Sequence, residues 1–259
     1  MTPSSEEPAP PAGHAARSGV HPPGFTVRAL TEQGRLLLQR REHALVGLSP
    51  FNGYYKPRQI RRLLTWCHQV FARVDVFAPG YEAAHTLTSA GLEPREAVHR
   101  ARRATSQLRN AALGALRGCG VADAEDRVHT WTMLANRPAY ARLHDQVRRD
   151  YHHDPVIRTA CRETARAALR THSPHDPSER QIDGAVSYPL AEIPLLLDSP
   201  AIFRVDSSVF VYHREMTSFT PLILGRSASV RPNERQGYAM LIPDGHPGQD
   251  APSGEDDAP

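Results

Sequence analysis

Residues 44–55 read A-L-V-G-L-S-P-F-N-G-Y-Y, and this stretch decides the fold. Its opening apolar run predicts a buried strand over Ala44 to Leu48. Pro50 keeps Ser49 out of helical backbone angles, and Gly53 gives the following loop a second flexible point. Because ligands bind where the strands of an open α/β sheet end, Ser49 is predicted to lie at a ligand-binding edge. An ordinary turn after a strand would give the same pattern.

Strands and helices alternate on both sides of this stretch. Phe25 to Leu30 predicts a strand before it, and Val74 to Ala78 predicts a strand after it. Apolar residues at helical spacing predict a helix from Pro57 to Phe71 between them. Two more helices are predicted over Tyr81 to Ala90 and Pro94 to Leu116. This order indicates an α/β fold with a parallel sheet flanked by helices.

The second half of the chain continues with mostly helical patterns. Val128 to Thr132 and Ser208 to Tyr212 predict strands. Residues 136–169 predict helix, with an interruption at Asp154-Pro155. Ser178 and Gln181 form the pattern of a capping box, which predicts that another helix begins there.

Composition indicates one domain over residues 24–242, between two tails. Residues 1–23 and 243–259 are rich in Pro, Gly, Ala and either Ser or acidic residues, and both are predicted to be disordered. Three scattered cysteines argue for a reducing compartment. No apolar window reaches the length of a membrane span, and no secretory signal opens the chain. We therefore expect a cytoplasmic protein without a membrane partner.

The positive charge is concentrated in the body of the chain. Residues 1–23 carry about −1 and residues 243–259 about −5, so the body carries about +9, against a formal +3 for the whole chain. Along the predicted helix 94–116, one face carries Arg95, His99, Arg102, Ser106 and Arg109, with Arg103 nearby. A solvated face explains such a run, and a phosphate-binding surface explains it equally well.

Two other patterns concern binding chemistry. The pairs His152-His153 and His172/His175 lack a carboxylate or cysteine at a ligand spacing, so no metal site is expected. Glu192 lies inside the apolar run P-L-A-E-I-P-L-L-L of residues 189–197, four residues after Tyr188. Both side chains therefore lie on one helical face, although Pro189 and Pro194 are expected to bend or break the helix. If Glu192 is buried, its carboxylate needs a partner, and a cationic ligand group or an arginine would supply it. A side chain that points to solvent would need none.

Four segments together resemble the motifs of the cyclodipeptide synthases. They are G-L-S-P-F-N-G-Y-Y at 47–55, V-D-V-F-A-P-G-Y-E-A at 74–83, Y-P-L-A-E at 188–192 and V-Y-H at 211–213. The resemblance covers about Phe25 to Met240 and implies a Rossmann-like domain similar to the catalytic domain of class I tyrosyl- and tryptophanyl-tRNA synthetases. It implies two aminoacyl-tRNAs as substrates and a cyclic dipeptide, a 2,5-diketopiperazine, as product. The ATP-binding motifs H-I-G-H and K-M-S-K-S are absent, and no cofactor is expected.

The resemblance also implies roles for individual residues. Ser49 matches the nucleophile, which would carry the aminoacyl group as an ester in a ping-pong reaction. Gly47 would leave room beside it. Tyr188 and Glu192 match the pair that holds the α-ammonium group. Tyr212 would relay a proton in ring closure, because an ordinary tyrosine is a poor base at neutral pH.

Further positions follow from the same resemblance. Asn52, Tyr212 and His213 match the triplet of one subgroup, and Tyr140 matches another active-site tyrosine. The first aminoacyl pocket would be lined by Leu45, Phe77, Trp131 and Phe210, which favour an uncharged side chain. The same four residues would also suit a core made of strands. Candidate contacts to tRNA are Arg102, Arg103 and Arg109, and we expect a monomer.

Other functions remain as alternatives. A serine hydrolase would need a histidine and an acid beside Ser49, and its G-x-S-x-G elbow would place glycine where Phe51 stands. A non-catalytic tRNA-binding protein would keep the basic face without needing Ser49. An aminoacyl-tRNA synthetase would need a phosphate cradle, and a dinucleotide-binding enzyme would need a glycine-rich fingerprint that the sequence lacks.

Overall fold

The computed structural model describes residues 21–173 and 175–244, which fold around one six-stranded sheet. Its strands in chain order are β1 (Phe25–Ala29), β2 (His43–Gly47), β3 (Arg73–Phe77), β4 (Val128–His129), β5 (Ser208–Tyr212) and β6 (Gln236–Pro243). Their order across the sheet is β1-β6-β5-β2-β3-β4. The strand that precedes Ser49 is therefore central, with β5 on one side and β3 on the other.

The sheet is mixed. The five strands from β6 to β4 run parallel, as the sequence predicts. β1 pairs antiparallel with β6, so the prediction of a wholly parallel sheet is wrong at this edge. The alternating pattern of strand and helix carries no information about this pairing, because β6 follows β1 by more than 200 residues.

The helices surround the sheet. They are α1 (Glu32–Arg40), α2 (Pro57–Val70), α3 (Ala84–Ser89), α4 (Pro94–Gly118), α5 (Trp131–Ala135), α6 (Pro138–Asp150), α7 (Pro155–Arg170), α8 (Glu179–Ala185), α9 (Ser187–Phe203) and α10 (Thr220–Ile223), with 3₁₀ turns at Tyr81–Ala83, Ala124–Arg127 and Thr217–Phe219. The helices predicted from Pro57, Tyr81 and Pro94 are confirmed, as is the capping box before α8. α1 was not predicted.

Side-chain alternation along the strands divides the core into two layers. On β2, Ala44 and Val46 face a cluster formed with α1, α2 and α4. Leu45 faces the opposite cluster, formed with α5, α6, α7, α9 and α10. Because both faces are covered, all five residues of β2 are buried. Such a strand reads as a continuous apolar run, which is what residues 44–48 show.

The long basic helix α4 is fixed at both ends. Glu93 accepts hydrogen bonds from the backbone N–H groups of Arg95 and Glu96, and Pro94 occupies the first helical position. Near the start of α4, Ala97 and Ala101 pack against α3 and the 3₁₀ turn Tyr81–Ala83. Farther along, its apolar face packs against α2. The opposite face is left to solvent.

Two local predictions are wrong in position. The predicted strand 128–132 ends at His129, and Trp131 begins α5. In α9 the break expected at Pro189 or Pro194 occurs at Asp198, whose backbone is non-helical (φ −153°, ψ 57°). Pro189 is in the first turn, where its missing N–H costs no hydrogen bond. Asp198 Oδ1 instead accepts from the Ala201 N–H, which restarts the helix before its last residues.

The predicted tails fall mostly outside the described residues. At their inner ends, the Pro22 carbonyl accepts a hydrogen bond from Trp66 Nε1 at 2.8 Å. Asp244 Oδ2 accepts one from the Gly24 N–H at 2.6 Å. Pro22 and Asp244 were predicted to be disordered, but the structure holds Pro22 against α2 and Asp244 against the residue before β1.

Candidate active site

Ser49 lies two residues beyond the end of β2, at the carboxyl edge of the parallel strands. The chain is held to β3 here, because the Leu48 N–H donates to the Phe77 carbonyl at 2.9 Å. Gly47 allows a close approach, since a Cβ atom there would lie 2.9 Å from Cζ of Phe210. The room that Gly47 leaves is therefore filled by the Phe210 ring. Ser49 itself is half-buried and faces the neighbouring strand β5.

The loop after Ser49 is fixed by its own polar groups. Asn52 Oδ1 accepts from the Tyr54 N–H at 3.0 Å, which sets the orientation of the Asn52 amide. The Tyr55 hydroxyl donates to the Gly47 carbonyl at 2.8 Å, so the loop is tied back to the strand it leaves. Sequence reasoning missed Tyr54 and Tyr55, and the only signal was a pair of tyrosines after a turn.

His213, the first residue after β5, completes this polar group. Its Nδ1 lies 2.9 Å from the Tyr55 hydroxyl and its Nε2 lies 3.3 Å from Asn52 Nδ2. The Tyr55 hydroxyl donates its only proton to the Gly47 carbonyl, so it must accept a hydrogen bond from Nδ1–H of His213. Nε2 of His213 then accepts from the Asn52 amide. Burial and then Arg214 lower the pKa of His213 to about 4, so the ring is neutral at pH 7. His213 positions the loop and is not placed to act as a base toward Ser49.

Two phenols lie near the Ser49 hydroxyl. Tyr188 comes from the first turn of α9, and Tyr212 is the last residue of β5. Burial raises the pKa of each phenol, the Glu192 charge raises it further, and hydrogen bonding with Ser49 partly opposes these effects. Both tyrosines are therefore neutral at pH 7 and can pass a proton only by donating and accepting together.

Glu192 lies one helical turn after Tyr188 and faces the same way. Burial raises the pKa of its carboxyl to about 7. Among the described residues no hydrogen-bond donor or arginine pairs with it, so the arginine partner considered from sequence is not present there. An unpartnered carboxylate this close to two phenols is suited to a cationic group brought by a ligand.

Tyr140 lies on α6, behind Tyr188. Its hydroxyl donates to the Ala191 carbonyl at 2.9 Å, and its ring stacks on His144 with centroids 5.6 Å apart. Burial and the charges of Glu82 and Glu192 raise the pKa of its phenol. Tyr140 thus supports the helix that carries Tyr188 and Glu192.

The four predicted pocket residues do lie together, but three of them are sealed. Leu45, Phe77 and Phe210 are fully buried in the core cluster on one face of the sheet. Trp131 packs against Phe77 with ring centroids 4.1 Å apart, and its other side lines a cavity of about 590 Å³. Of the four side chains, only Trp131 borders this cavity.

The cavity is lined by residues of the 3₁₀ turn Tyr81–Ala83, α3, α5, α6, α8 and α9. Half of them are apolar or aromatic, and the others include the charged residues Glu82, Arg148 and Asp183. Tyr140 and Tyr188 form part of its wall. Two buried polar atoms, Oε2 of Glu82 and Nε1 of Trp131, have no partner among the described residues. Both residues line the cavity. Sequence reasoning missed Glu82, which lies within one of the quoted motifs without a distinguishing spacing.

A sequence profile described as cyclodipeptide synthase matches residues 25–243. The chain belongs to the cyclodipeptide synthase family. It is 32% identical over 240 residues to the cyclo(L-leucyl-L-leucyl) synthase of Bacillus subtilis, covering 87% of this chain and 91% of the relative. It is 31% identical over 223 residues to the cyclo(L-leucyl-L-phenylalanyl) synthase of Streptomyces noursei, covering 85% and 92%.

The fold agrees with this membership. A solved structure from Mycobacterium tuberculosis, described as relating cyclodipeptide synthetases to type I tRNA synthetases, superposes with a TM-score of 0.76 at 28% identity. The match covers 90% of this chain and 99% of that one. The chain is thus an α/β enzyme that makes cyclic dipeptides from aminoacyl-tRNAs, as its resemblance to the family implies.

The basic face of the synthase is not uniform. Arg102 and Arg103 are exposed on α4 and make no ion pair within residues 21–173 and 175–244. Arg109 pairs with Glu125 at 2.7 Å, and Arg117 pairs with the same carboxylate. Of the three arginines suggested by sequence, two offer free charge to a polyanion and one is already neutralised.

A serine, a histidine and an aspartate do meet in this protein, but away from Ser49. His43 Nδ1 lies 2.8 Å from Ser208 Oγ, and its Nε2 lies 3.0 Å from Asp75 Oδ2. His129 donates to the other Asp75 oxygen at 2.6 Å. All four side chains are buried without access to solvent. The hydrolase alternative fails here, since this group lies away from Ser49, which has the phenols of Tyr188 and Tyr212 nearby instead.

No cluster of three or more His, Cys, Asp or Glu side chains that could hold a metal ion occurs within residues 21–173 and 175–244. In the same part of the chain, no helix is long and apolar enough to cross a membrane.

Proposed function

We propose that this synthase works by a ping-pong mechanism through an aminoacyl ester on Ser49. The observation that carries the proposal is the position of Tyr188 and Tyr212 near the Ser49 hydroxyl, with the unpartnered carboxyl of Glu192 one helical turn after Tyr188. Ser49 Oγ attacks the ester carbonyl of the first aminoacyl-tRNA. The departing ribose oxygen takes the hydroxyl proton, directly or through a phenol, and the tRNA leaves.

Glu192 then serves the α-amino group of the bound residue. Its pKa of about 7 lies close to the ~8 of an α-amino group, so it can hold the ammonium ion and accept a proton from it. The freed amine attacks the ester of the second aminoacyl-tRNA, forming one peptide bond and releasing the second tRNA. The new terminal amine attacks the Ser49 ester, which closes the ring. Tyr212 passes a proton back to Ser49 Oγ.

Intact-protein mass spectrometry tests this mechanism. After brief incubation with an aminoacyl-tRNA, the protein should gain the mass of one aminoacyl group, and Ser49→Ala should gain none. Ser218→Ala serves as a matched control and should behave as wild type. Culture medium of an expressing bacterium should contain a diketopiperazine that is missing with Ser49→Ala. Product formation without an ester on Ser49 would refute the mechanism, while tRNA binding without any product would favour the non-catalytic alternative.

We propose that the aminoacyl side chain enters the cavity beside Trp131. Tyr188 belongs to both the cavity wall and the Ser49 site, so the cavity begins one side chain away from the nucleophile. Trp131, Tyr140, Tyr188 and Leu190 supply apolar wall that favours an uncharged side chain, although Glu82, Arg148 and Asp183 also line the cavity. The two relatives compared above are named for leucyl and phenylalanyl products, in agreement with this class. Mass spectrometry of the expressed product identifies both residues.

We propose that Arg102 and Arg103 contact the phosphates of the acceptor end of tRNA, and that Arg109 contributes less because Glu125 already pairs with it. We assign the activity to residues 24–242, acting as a cytoplasmic monomer of the subgroup marked by Asn52 and Tyr212-His213. Light scattering on the purified protein tests the monomer, and a second subunit in every active species would contradict it. A variant lacking residues 1–20 and 245–259 should remain active.

A further inference from the structure

Phe51 carries two features that oppose stability. Its backbone lies in the left-handed region at φ 64°, where a bulky side chain is unfavourable by roughly 1–2 kcal/mol. Its ring is 40% exposed, so burial returns little of that free energy. Glycine or asparagine would suit this backbone, and a polar residue would suit this exposure. Strain and exposure together in a loop at the nucleophile indicate a role in binding.

The surroundings of Phe51 suit a flat, negatively charged ligand. The ring of His172, from the segment after α7, meets the Phe51 ring edge-on, with centroids 5.5 Å apart and planes at 83°. Phe51 remains 40% exposed to solvent beside this contact. Arg100 of α4 is close enough for its charge to lower the pKa of His172, after the larger effect of burial. Arg100 pairs with Glu96 yet keeps 58% of its side chain exposed.

The chemistry of the substrate places a nucleotide at this position. The ester that Ser49 faces joins the amino acid to the terminal ribose of tRNA, so the terminal base lies within one nucleoside of the reacting carbon. Ser49 and Phe51 are two residues apart, which keeps their Cα atoms within about 7 Å. Single-stranded RNA ends are bound by stacking of bases on exposed aromatic rings, with phosphates held by nearby cations.

We propose that the exposed ring of Phe51, braced by His172, is a stacking platform for the 3′-terminal base of aminoacyl-tRNA. The proposal rests on the use of aminoacyl-tRNAs by this enzyme and does not depend on covalent chemistry at Ser49. Stacking does not depend on a tRNA's body sequence, which suits an enzyme that accepts two aminoacyl-tRNAs with the same single-stranded end. The backbone strain is explained because the left-handed turn presents the ring outward.

A double-mutant cycle on binding tests the platform. Affinity is measured for uncharged tRNA, intact or lacking its terminal adenosine, with wild type and Phe51→Ala. We expect wild type to bind the shortened tRNA roughly 5- to 150-fold more weakly, which corresponds to the 1–3 kcal/mol of one stacked base. Phe51→Ala should bind intact tRNA more weakly than wild type does, by the same factor. Removal of the terminal adenosine should then reduce the affinity of this variant for tRNA very little.

Control variants separate stacking from other effects. Phe51→Trp should retain binding, because it keeps an aromatic face. Leu36→Ala removes an apolar side chain of similar exposure, 44%, on α1 and should leave binding unchanged. Phe51→Gly relieves the backbone strain and should fold at least as stably as Phe51→Ala while binding equally weakly. The salt dependence of binding should be unaltered in all of them, because no phosphate contact is removed.

Two outcomes would overturn the proposal. In the first, intact tRNA binds Phe51→Ala as tightly as it binds wild type. In the second, the loss of affinity caused by Phe51→Ala and the loss caused by removing the terminal adenosine simply add. Loss of product formation with unchanged tRNA binding would make Phe51 a support for the Ser49 loop, and would also count against the platform. The Ser49 mechanism is judged separately, because Ser49→Ala should keep the full dependence of binding on the terminal adenosine.

Discussion

Replacing Glu192 by glutamine should change how the stability of the free enzyme depends on pH. Burial raises the pKa of this carboxyl from 4.5 to about 7. Below pH 4.5 the carboxyl is protonated in the folded and the unfolded chain, and it does not oppose folding. As the pH rises toward 7, the unfolded chain releases the proton first, so stability declines. Above pH 7 both states are ionised and the decline stops. Because glutamine cannot ionise, the Glu192→Gln variant should lack this decline in stability.

The expected change in the free energy of unfolding follows from the raised pKa of Glu192. A raise of about 2.5 pH units, at about 1.36 kcal/mol per unit, corresponds to roughly 3 kcal/mol. The free energy of unfolding of Glu192→Gln minus that of wild type should therefore grow by about 3 kcal/mol between pH 4.5 and 7.5. Because glutamine has nearly the same volume as glutamate, little of this difference comes from packing.

Urea denaturation at several pH values measures the difference. Taking the variant minus wild type cancels the titration of other groups, including the buried Asp75. Glu215→Gln, an exposed carboxyl on the segment after β5, serves as the control and should give a difference close to zero at every pH. A Glu192 difference that is flat, or that shrinks as the pH rises, would refute the placement of an unpartnered carboxyl beside the two phenols.

Three other substitutions test separate parts of the structure. Asp75→Asn breaks a buried network and should lower the free energy of unfolding by about 3–5 kcal/mol in urea, whereas a loss below ~1 kcal/mol would contradict it. Gly47→Ala should abolish product formation by clashing with Phe210, and adding Phe210→Leu should restore part of it; no restoration would argue against that clash. In tRNA titrations, the slope of log affinity against log salt concentration should fall by about one for Arg102→Ala and by less for Arg109→Ala. Equal slopes for the two variants would contradict the proposed difference between Arg102 and Arg109.

Local signals were sufficient for elements whose residues alternate or recur at helical spacing. α2 has such a face, and its predicted bounds agree with the structure within one residue. α1 has three consecutive leucines and an internal glycine, so no face is visible. Gly34 is explained only by β6, since a Cβ atom there would lie 2.9 Å from the Tyr238 carbonyl oxygen. That contact joins residues far apart in the chain.

In the candidate active site, too, local spacing predicts some contacts, and contacts between distant residues are not predictable from it. Tyr188 and Glu192 could be placed together because helical geometry relates residues four apart. The hydrogen bond between Tyr55 and His213 joins positions 158 residues apart, and no local pattern reports it. The sealed state of Phe77 and Phe210 likewise depends on packing between sheet and helices. Sequence therefore predicted which side chains meet at Ser49 better than it predicted where open space lies.

The insertion of β6 between β1 and β5 has a consequence for how this enzyme is made. During synthesis, Ser49, Tyr188, Glu192 and Tyr212 all leave the ribosome before the strand that joins β1 to β5. β1, among the first residues to emerge, has no neighbouring strand in the sheet until the stretch from Gln236 onward follows it. A nascent chain thus carries every reactive group without a finished sheet to hold them. Such distant pairing slows folding, and the sheet beneath these groups is complete only once β6 has paired with both β1 and β5.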